Sequence, residues 1–325
     1  HTFANDPERG LFILIFLFSL IFLSLFVFFF FHKENRKISN SIFLISKETS
    51  IIINNWFMMY FLSVILIGTV YPIFLDVISS EKISVGPPFY NKLIAPFLIL
   101  FMFVMTLGPK LKWIKSDIED KKYLLFFFLI SLLLSVLIIK NLQINFLLNS
   151  LLVTSAFYLF FITLRDFFVM KYKNLSQSIA HFGFSLFILS ILFNNIFTTE
   201  IITNLKVGET YNSENFNIKF ENLSQKQGQN FKSIIAKLSI ENSKGKVETF
   251  EPELRIYNQP NITTSEADIK TNLLSDKFIT INSVQGKDYF NVRYQIKPFM
   301  IWIWLSVLFI TVGGIFSLLK KKYEN

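Results

Sequence analysis

His181 is the residue of this sequence with the clearest chemical potential. It lies in Ala180-His-Phe-Gly183, near one end of a long apolar run. Ionisable side chains are costly inside a bilayer and usually face a bundle interior or a cavity, and a neutral imidazole is a common haem ligand. Ser178 and Ser185 share its helical face and would leave room for a flat ring beside it. A histidine at the membrane surface, bonded to a neighbouring helix, is the competing interpretation.

Two other residues give weaker chemical signals. His1 stands before the first apolar run, and by itself it predicts a solvated terminal side chain. Arg165 and Asp166 close another apolar run, and this placement predicts an interfacial ion pair. Arg165 could also neutralise a haem propionate, because we expect it on the same side of the membrane as His181.

The composition indicates that these residues are carried by a membrane protein. Of the 325 residues, 52% are hydrophobic and 17% are charged, against about 25% charged in ordinary soluble domains. Residues 198–297 hold 25 charged side chains, whereas the other 225 positions hold only 30. The absence of cysteine excludes a disulfide framework, a thiolate metal site and a catalytic thiol from this chain.

Seven apolar runs are long enough, or nearly so, to cross a bilayer as helices. They are residues 11–31, 50–72, 93–107, 123–139, 144–164, 178–197 and 299–318. Between the last two runs, alternating segments such as Phe216–Phe220 and Ile234–Ile240 predict strands, and Asn242–Gly245 predicts a hairpin turn.

These elements predict a polytopic α-helical membrane protein with a β-rich domain, a small sandwich or barrel, inserted before the last helix. Residues 1–197 would form a six-helix transmembrane bundle. Residues 198–297 would form the β-rich domain, and residues 298–325 the last helix with a basic tail.

Lysine and arginine predict the orientation of the helices. Fifteen of them lie in the segments 32–47, 108–122 and 165–177 and in the tail, whereas the opposite short segments hold four. By the positive-inside rule the rich side is cytoplasmic. His1 and the β-rich domain are then expected in the periplasm of a Gram-negative cell. The net charge of +9 is accounted for by these loops, so it does not indicate a nucleic-acid partner.

Several motifs, in order along the chain, resemble the C-terminal half of the CcmF family, the polytopic haem lyases of bacterial system I cytochrome c maturation. They are His1–Gly10, Ser46-Lys-Glu48 with Asn54-Asn55, Lys82–Asn91, Ala180-His-Phe-Gly183, Glu251–Tyr257, Thr263–Ile269, and Lys297–Trp304 followed by Gly313-Gly314. Lys47 stands where that family usually has arginine.

The resemblance implies two iron sites. One is a haem b within the membrane, held by two histidines on different helices, of which His181 matches one. At the other site, two periplasmic histidines hold the haem delivered by the chaperone CcmE, and His1 matches one of these. The implied reaction joins the thiols of the Cys-x-x-Cys-His motif of apocytochrome c to the haem vinyl groups. A CcmH-type thiol partner is also implied.

The family's N-terminal half supplies the second histidine of each pair and a Trp-rich motif that grips haem. We therefore expect this chain to be truncated or to be one product of a split gene, and we expect it alone not to attach haem. Two alternatives from other classes stay open. One is a protein that binds or delivers haem without lyase activity, and the other is a transporter without haem. We expect the protein to be a multi-pass protein of the bacterial inner (cytoplasmic) membrane.

Overall fold

The computed structural model describes residues 7–31, 43–79, 83, 85–114, 121–140, 142, 145–169, 175–213, 216–243, 245–259, 261–284 and 286–323. Within them, seven helices are long and apolar enough to cross a membrane. They are α1 (Pro7–Phe31), α2 (Lys47–Ser79), α3 (Pro87–Leu107), α4 (Lys121–Ile139), α5 (Phe146–Val169), α6 (Leu175–Phe197) and α7 (Met300–Tyr323). The predicted seven helices are confirmed.

Each helix extends past the predicted apolar run at one end or at both, but α5 begins two residues later than predicted and α7 one residue later. The prolines illustrate the starts. α1 begins at Pro7, and α3 begins at Pro87 after the extended Gly86. Proline suits the first helical turn because its missing N–H would have no intrahelical acceptor there.

The chain packs as two compact units, residues 1–169 and 170–325. The first contains α1 to α5. Its helices are linked by polar contacts that suit a lipid environment, where each polar group needs a partner within the protein. The Tyr60 hydroxyl on α2 donates to the Leu93 carbonyl of α3 at 2.9 Å, and the Ser135 hydroxyl on α4 donates to the Ser150 carbonyl of α5 at 2.7 Å.

The second unit contains α6, the β domain and α7. The described residues of the domain form ten strands: β1 (Thr199–Leu205), β2 (Thr210–Asn212), β3 (Phe216–Gln227), β4 (Phe231–Asn242), β5 (Val247–Phe250), β6 (Glu253–Tyr257), β7 (Ile262–Glu266), β8 (Asp268–Thr271), β9 (Ser275–Ser283) and β10 (Phe290–Pro298). One sheet has the order β1-β10-β9-β8. The other has the order β2-β3-β4-β6-β7, with β5 also paired to β4.

The two sheets form a sandwich around one apolar core. Ile279, Ile281 and Val292 of the first sheet pack with Phe220 and Leu238 of the second, and all five are fully buried. Alternate residues of each strand face this core, which is the period-two pattern that predicted the strands. The predicted β-rich domain is therefore confirmed. Of the two expected forms, a sandwich or a barrel, it is a sandwich.

The predicted hairpin turn at residues 242–245 is also present. The Gly245 N–H donates to the Asn242 carbonyl at 2.9 Å, and the Lys246 N–H donates to the Asn242 side-chain oxygen at 3.0 Å. Gly245 has a φ of +74°, a conformation that costs glycine little.

Candidate haem-binding site

His181 lies in the first half of α6 and is partly buried. The helix is positioned by α7, against which it packs unusually closely. A Cβ added to Gly183 would lie 2.8 Å from the Ile310 backbone nitrogen and 2.9 Å from the Ser306 carbonyl oxygen. Only a glycine at position 183 allows the backbones of α6 and α7 to approach this closely.

A second glycine makes the same contact from the other helix. A Cβ on Gly313 of α7 would lie 2.7 Å from the Ala180 backbone nitrogen and 2.8 Å from the Ser176 carbonyl oxygen of α6. These two contacts define the face of α6 that meets α7. His181 is two residues from Gly183, roughly 200° around the helix, so it belongs to a different face.

The His181 face suits one axial ligand of a haem. Ser178 and Ser185, both small and buried, share the face with the imidazole. A porphyrin supplies four of the ligands to its iron and needs only axial ligands from the protein. Within the described part of the chain there is no cluster of three or more histidine, aspartate or glutamate side chains able to hold a bare metal ion. His1, the other predicted ligand, lies outside the described residues, so its role stays a prediction.

Arg165 lies on α5, in the first unit, whereas His181 belongs to the second. Its guanidinium carbon is 3.9 Å from the centre of the Tyr123 ring, and its Nη1 is 3.6 Å from Asp166 Oδ1. The predicted contact between Arg165 and Asp166 is therefore present. The role of Arg165 towards a haem propionate stays a prediction.

A closer partner of Asp166 was not expected from the sequence. Lys110 Nζ donates to both carboxylate oxygens of Asp166, at 2.8 and 2.6 Å, and both side chains are 13% exposed. Lys110 closes the 3-10 turn that follows α3, so this ion pair joins the end of α3 to α5. The two residues are 56 positions apart, and no local pattern in the sequence could pair them.

The Ser46–Glu48 motif holds a connecting segment in place. The Ser46 hydroxyl accepts the Thr49 N–H at 3.2 Å and so caps α2. The Lys47 N–H donates to the Lys112 carbonyl, and both carboxylate oxygens of Glu48 accept the Ile114 N–H, all at 3.0 Å. The structure thus assigns this motif a fastening role at the start of α2.

Glu253 and Arg255, on β6, form a small polar network. By spacing alone they predict a solvated strand face, but here both are only partly exposed. The Ser233 hydroxyl and the Arg255 Nε donate to Glu253 Oε2 at 2.9 and 3.0 Å. Burial acts to raise the pKa of Glu253, but these two hydrogen bonds favour the carboxylate, and the net effect lowers it.

A cavity of about 400 Å³ opens at the end of the sandwich nearest α6 and α7. Its apolar walls include Ile201 and Ile296, and its charged wall includes Lys277, whose Nζ donates to Glu248 at 2.8 Å. That hydrogen bond, opposed by burial, lowers the pKa of Glu248. Burial, assisted by the charge of Glu248, raises the pKa of the cavity residue Tyr294 to about 12.

The seven apolar helices of the described residues, with a β-sandwich inserted between α6 and α7, define a polytopic membrane protein that carries an extramembrane domain. A family model described as the CcmF C-terminal beta-sandwich matches residues 196–298.

The curated relatives lead to the same family. The cytochrome c-type biogenesis protein CcmF of Pseudomonas fluorescens is 29% identical over 349 residues, which is 100% of this chain and 51% of that protein. CcmF of Escherichia coli K12 is 25% identical over 336 residues, covering 100% of this chain and 52% of that protein. The chain spans about half the length of these relatives.

A solved structure titled Cytochrome c Heme Lyase CcmF has the same fold. It matches with a TM-score of 0.65 and 17% sequence identity, over 84% of this chain and 46% of that one. The family model and the curated relatives both show similarity to CcmF, the family model to its C-terminal sandwich, and the solved structure shows the same fold. Seven apolar helices and bacterial relatives also indicate a bacterial inner-membrane protein.

Proposed function

We propose that this chain takes part in cytochrome c biogenesis as the C-terminal portion of a CcmF-type haem lyase. The observation that carries the proposal is the match of the whole chain to CcmF relatives, with His181 on the face of α6 that does not meet α7. Haem attachment by the complete assembly would also require the N-terminal portion of CcmF, to supply the second ligand for each iron.

In this proposal His181 supplies one axial ligand of a haem b within the membrane. When bound, this haem would supply an electron to keep the substrate iron ferrous. The α6–α7 contact holds the backbone that carries the imidazole of His181. This axial ligand is therefore already in place before haem binds. His1 would supply one ligand to the substrate haem on the periplasmic side, and Arg165 would neutralise a propionate of the haem b.

The reaction itself needs no thiol from this chain. In each attachment a cysteine S–H of the apocytochrome adds across a vinyl C=C of the substrate haem. A C–S bond and a C–H bond form, the S–H bond and the C=C π bond are lost, and no net oxidation occurs. The contribution of the protein is to position the two substrates, which lowers the entropic part of the barrier.

The partners follow from this sequence of events. Haem would arrive on the chaperone CcmE, apocytochrome c would bring the two thiols, and a CcmH-type partner would present them. The β-sandwich would face the periplasm, as the distribution of lysine and arginine predicts.

The test uses cells that lack CcmF. The full chain is expressed together with the N-terminal half of a CcmF, and covalent haem on a reporter cytochrome c is measured with the absorption spectrum of the purified pair. We expect His181→Gly to lose the low-spin haem b spectrum and Ser178→Ala, on the same face, to keep it. Added imidazole should restore the spectrum of His181→Gly, which a purely structural role for His181 would not allow.

Two results would contradict the proposal. An unchanged haem b spectrum in His181→Gly would remove this residue from the ligand set. A haem-loaded pair that never attaches haem to the reporter would favour the alternative function, haem binding or delivery without lyase activity.

A further inference from the structure

The turn between β8 and β9 presents two leucines that the chain itself leaves uncovered. Leu273 is 67% exposed and Leu274 is 71% exposed. They are adjacent at the tip of a tight turn, from Asn272 to Ser275. Neighbouring exposed leucines at the tip of a turn are unfavourable in water and indicate a contact with an apolar surface.

The sheet register places this turn at the level where α7 begins. Ser275, the first residue of β9, pairs with Pro298, the last residue of β10. β10 then continues into α7 at Met300, within the last membrane-spanning segment. The turn before β9 must therefore lie beside the first turn of a transmembrane helix.

Two hydrogen bonds fasten the turn, one to α7 and one to Phe299, the residue just before it. The indole Nε1 of Trp302 donates to the Leu273 carbonyl at 2.9 Å. The Phe299 N–H donates to the Leu274 carbonyl at 2.8 Å. Tryptophan is enriched at the membrane–water interface, and Trp302 lies in the first turn of α7, so its partner Leu273 lies at the same depth.

The backbone of the turn is also prepared for an apolar surrounding. The Asn272 side-chain oxygen accepts the N–H groups of Leu274 and Ser275 at 2.8 and 2.9 Å. The Asn272 N–H donates to the Ser275 carbonyl at 3.1 Å. The Leu273 carbonyl is bonded to α7 and the Leu274 carbonyl to the Phe299 N–H just before it. These polar groups therefore have partners within the protein, which a backbone in contact with lipid requires.

We propose that Leu273 and Leu274 insert into the bilayer interface beside α7, so that the β-sandwich contacts lipid as well as being tethered by its two flanking helices. The partner is the membrane lipid itself. This contact fixes the height and tilt of the sandwich over the membrane. It thereby fixes the position of the cavity lined by Ile201 and Ile296, which lies at the same end of the domain.

The test is a depth measurement on the full chain reconstituted in phosphatidylcholine vesicles. Because the chain contains no cysteine, Leu274→Cys introduces a single thiol for a polarity-sensitive NBD fluorophore. Val207→Cys is the matched control. It is 48% exposed, in the turn after β1, at the opposite end of the same sheet.

We expect the label at 274 to emit at shorter wavelength than the label at 207. It should be quenched several-fold more by doxyl-labelled lipid and less by iodide. Equal iodide quenching at the two sites would show an aqueous turn and overturn the proposal. Protection from both quenchers would mean that protein covers the turn, and this would overturn it too.

A second variant tests whether the hydrogen bond from Trp302 holds the turn at its depth. Trp302→Phe keeps an aromatic ring but removes the indole donor to Leu273. It should reduce lipid quenching at position 274 without changing the signal at position 207. If the signal at 274 stayed the same, the hydrogen bond would not be setting the depth of the turn, and the proposed anchoring by α7 would be wrong.

Discussion

Gly183 of α6 lies directly against Ser306 of α7, and a single added methyl group at Gly183 would come within 2.9 Å of the Ser306 carbonyl oxygen. Together with Gly313 on the other helix, this contact makes α6 and α7 one close-packed pair. The pair carries both His181 and the two connections to the β-sandwich. The distance between α6 and α7 therefore affects both the position of the proposed ligand His181 and the attachment of the β-sandwich.

The glycine pair at positions 313 and 314 allows this contact to be tested with its own control. A Cβ on Gly313 would meet backbone atoms of Ala180 and Ser176, whereas a Cβ on Gly314 would have nothing within 4 Å. We expect Gly313→Ala to lower the free energy of unfolding by about 1–3 kcal/mol through overpacking, and Gly314→Ala to be neutral or stabilising. Thermal unfolding in detergent measures the difference.

Since both changes gain the same helix propensity, their difference isolates the interhelical contact. Equal stabilities of the two variants would mean that α6 and α7 are not in the close contact described.

The ion pair between Lys110 and Asp166 should be sensitive to the loss of either partner. Both side chains are 13% exposed, so removing one leaves a poorly solvated charge. We expect Lys110→Met to cost about 3 kcal/mol. The double variant Lys110→Met with Asp166→Leu should cost less than the sum of the single changes. Chemical denaturation of the four proteins gives the coupling energy.

The β-sandwich supplies a matched comparison for this prediction. Lys206 and Asp288 are separated by the same 2.6 Å but are 48% and 76% exposed. Because water and salt screen that pair, Lys206→Met should change stability little. If the stability loss of the double variant at Lys110 and Asp166 equalled the sum of the two single losses, the two side chains would not be energetically coupled, and this would contradict the ion pair.

The contact between Glu48 and Ile114 should protect the connection after α3 from proteolysis. Ile114 has a φ of +68°, a strained conformation for a β-branched residue, and its N–H is bonded to the Glu48 carboxylate. Glu48→Ala removes that acceptor, so we expect faster trypsin cleavage after Lys112. Glu48→Gln keeps an acceptor oxygen and should behave almost like the parent chain. Similar cleavage rates for both variants would contradict the fastening role.

Acid should weaken the β-sandwich partly through Glu248. Its pKa is lowered from the ordinary 4.5, mainly by the hydrogen bond from Lys277. The stabilising contribution of the carboxylate is therefore complete above pH 4.5 and is lost as the pH falls through the lowered pKa of the folded state. Glu248→Gln should show a smaller loss of thermal stability between pH 5 and pH 3.

Glu241→Gln, on the neighbouring strand β4 at an exposed position, is the control for the acid experiment. If Glu241→Gln changed the acid response as much as Glu248→Gln, general charge would explain the effect and the bond to Lys277 would not.

The sequence alone determined the number of helices, their approximate bounds and the β-rich character of the domain. Helix length is set by the bilayer and strand alternation by the pleat, and both are local patterns that can be read along the chain. His181 was also singled out as a candidate ligand from local information, because an ionisable residue stands out within an apolar run.

Only the tertiary structure decided which residues meet. The close approach at Gly183, the hydrogen bond from Trp302 to Leu273 and the ion pair between Lys110 and Asp166 join positions far apart in the chain, and each depends on the relative placement of two elements. Periodicity assigns a residue to a face of its own helix or strand, but it carries no information about which element will cover that face.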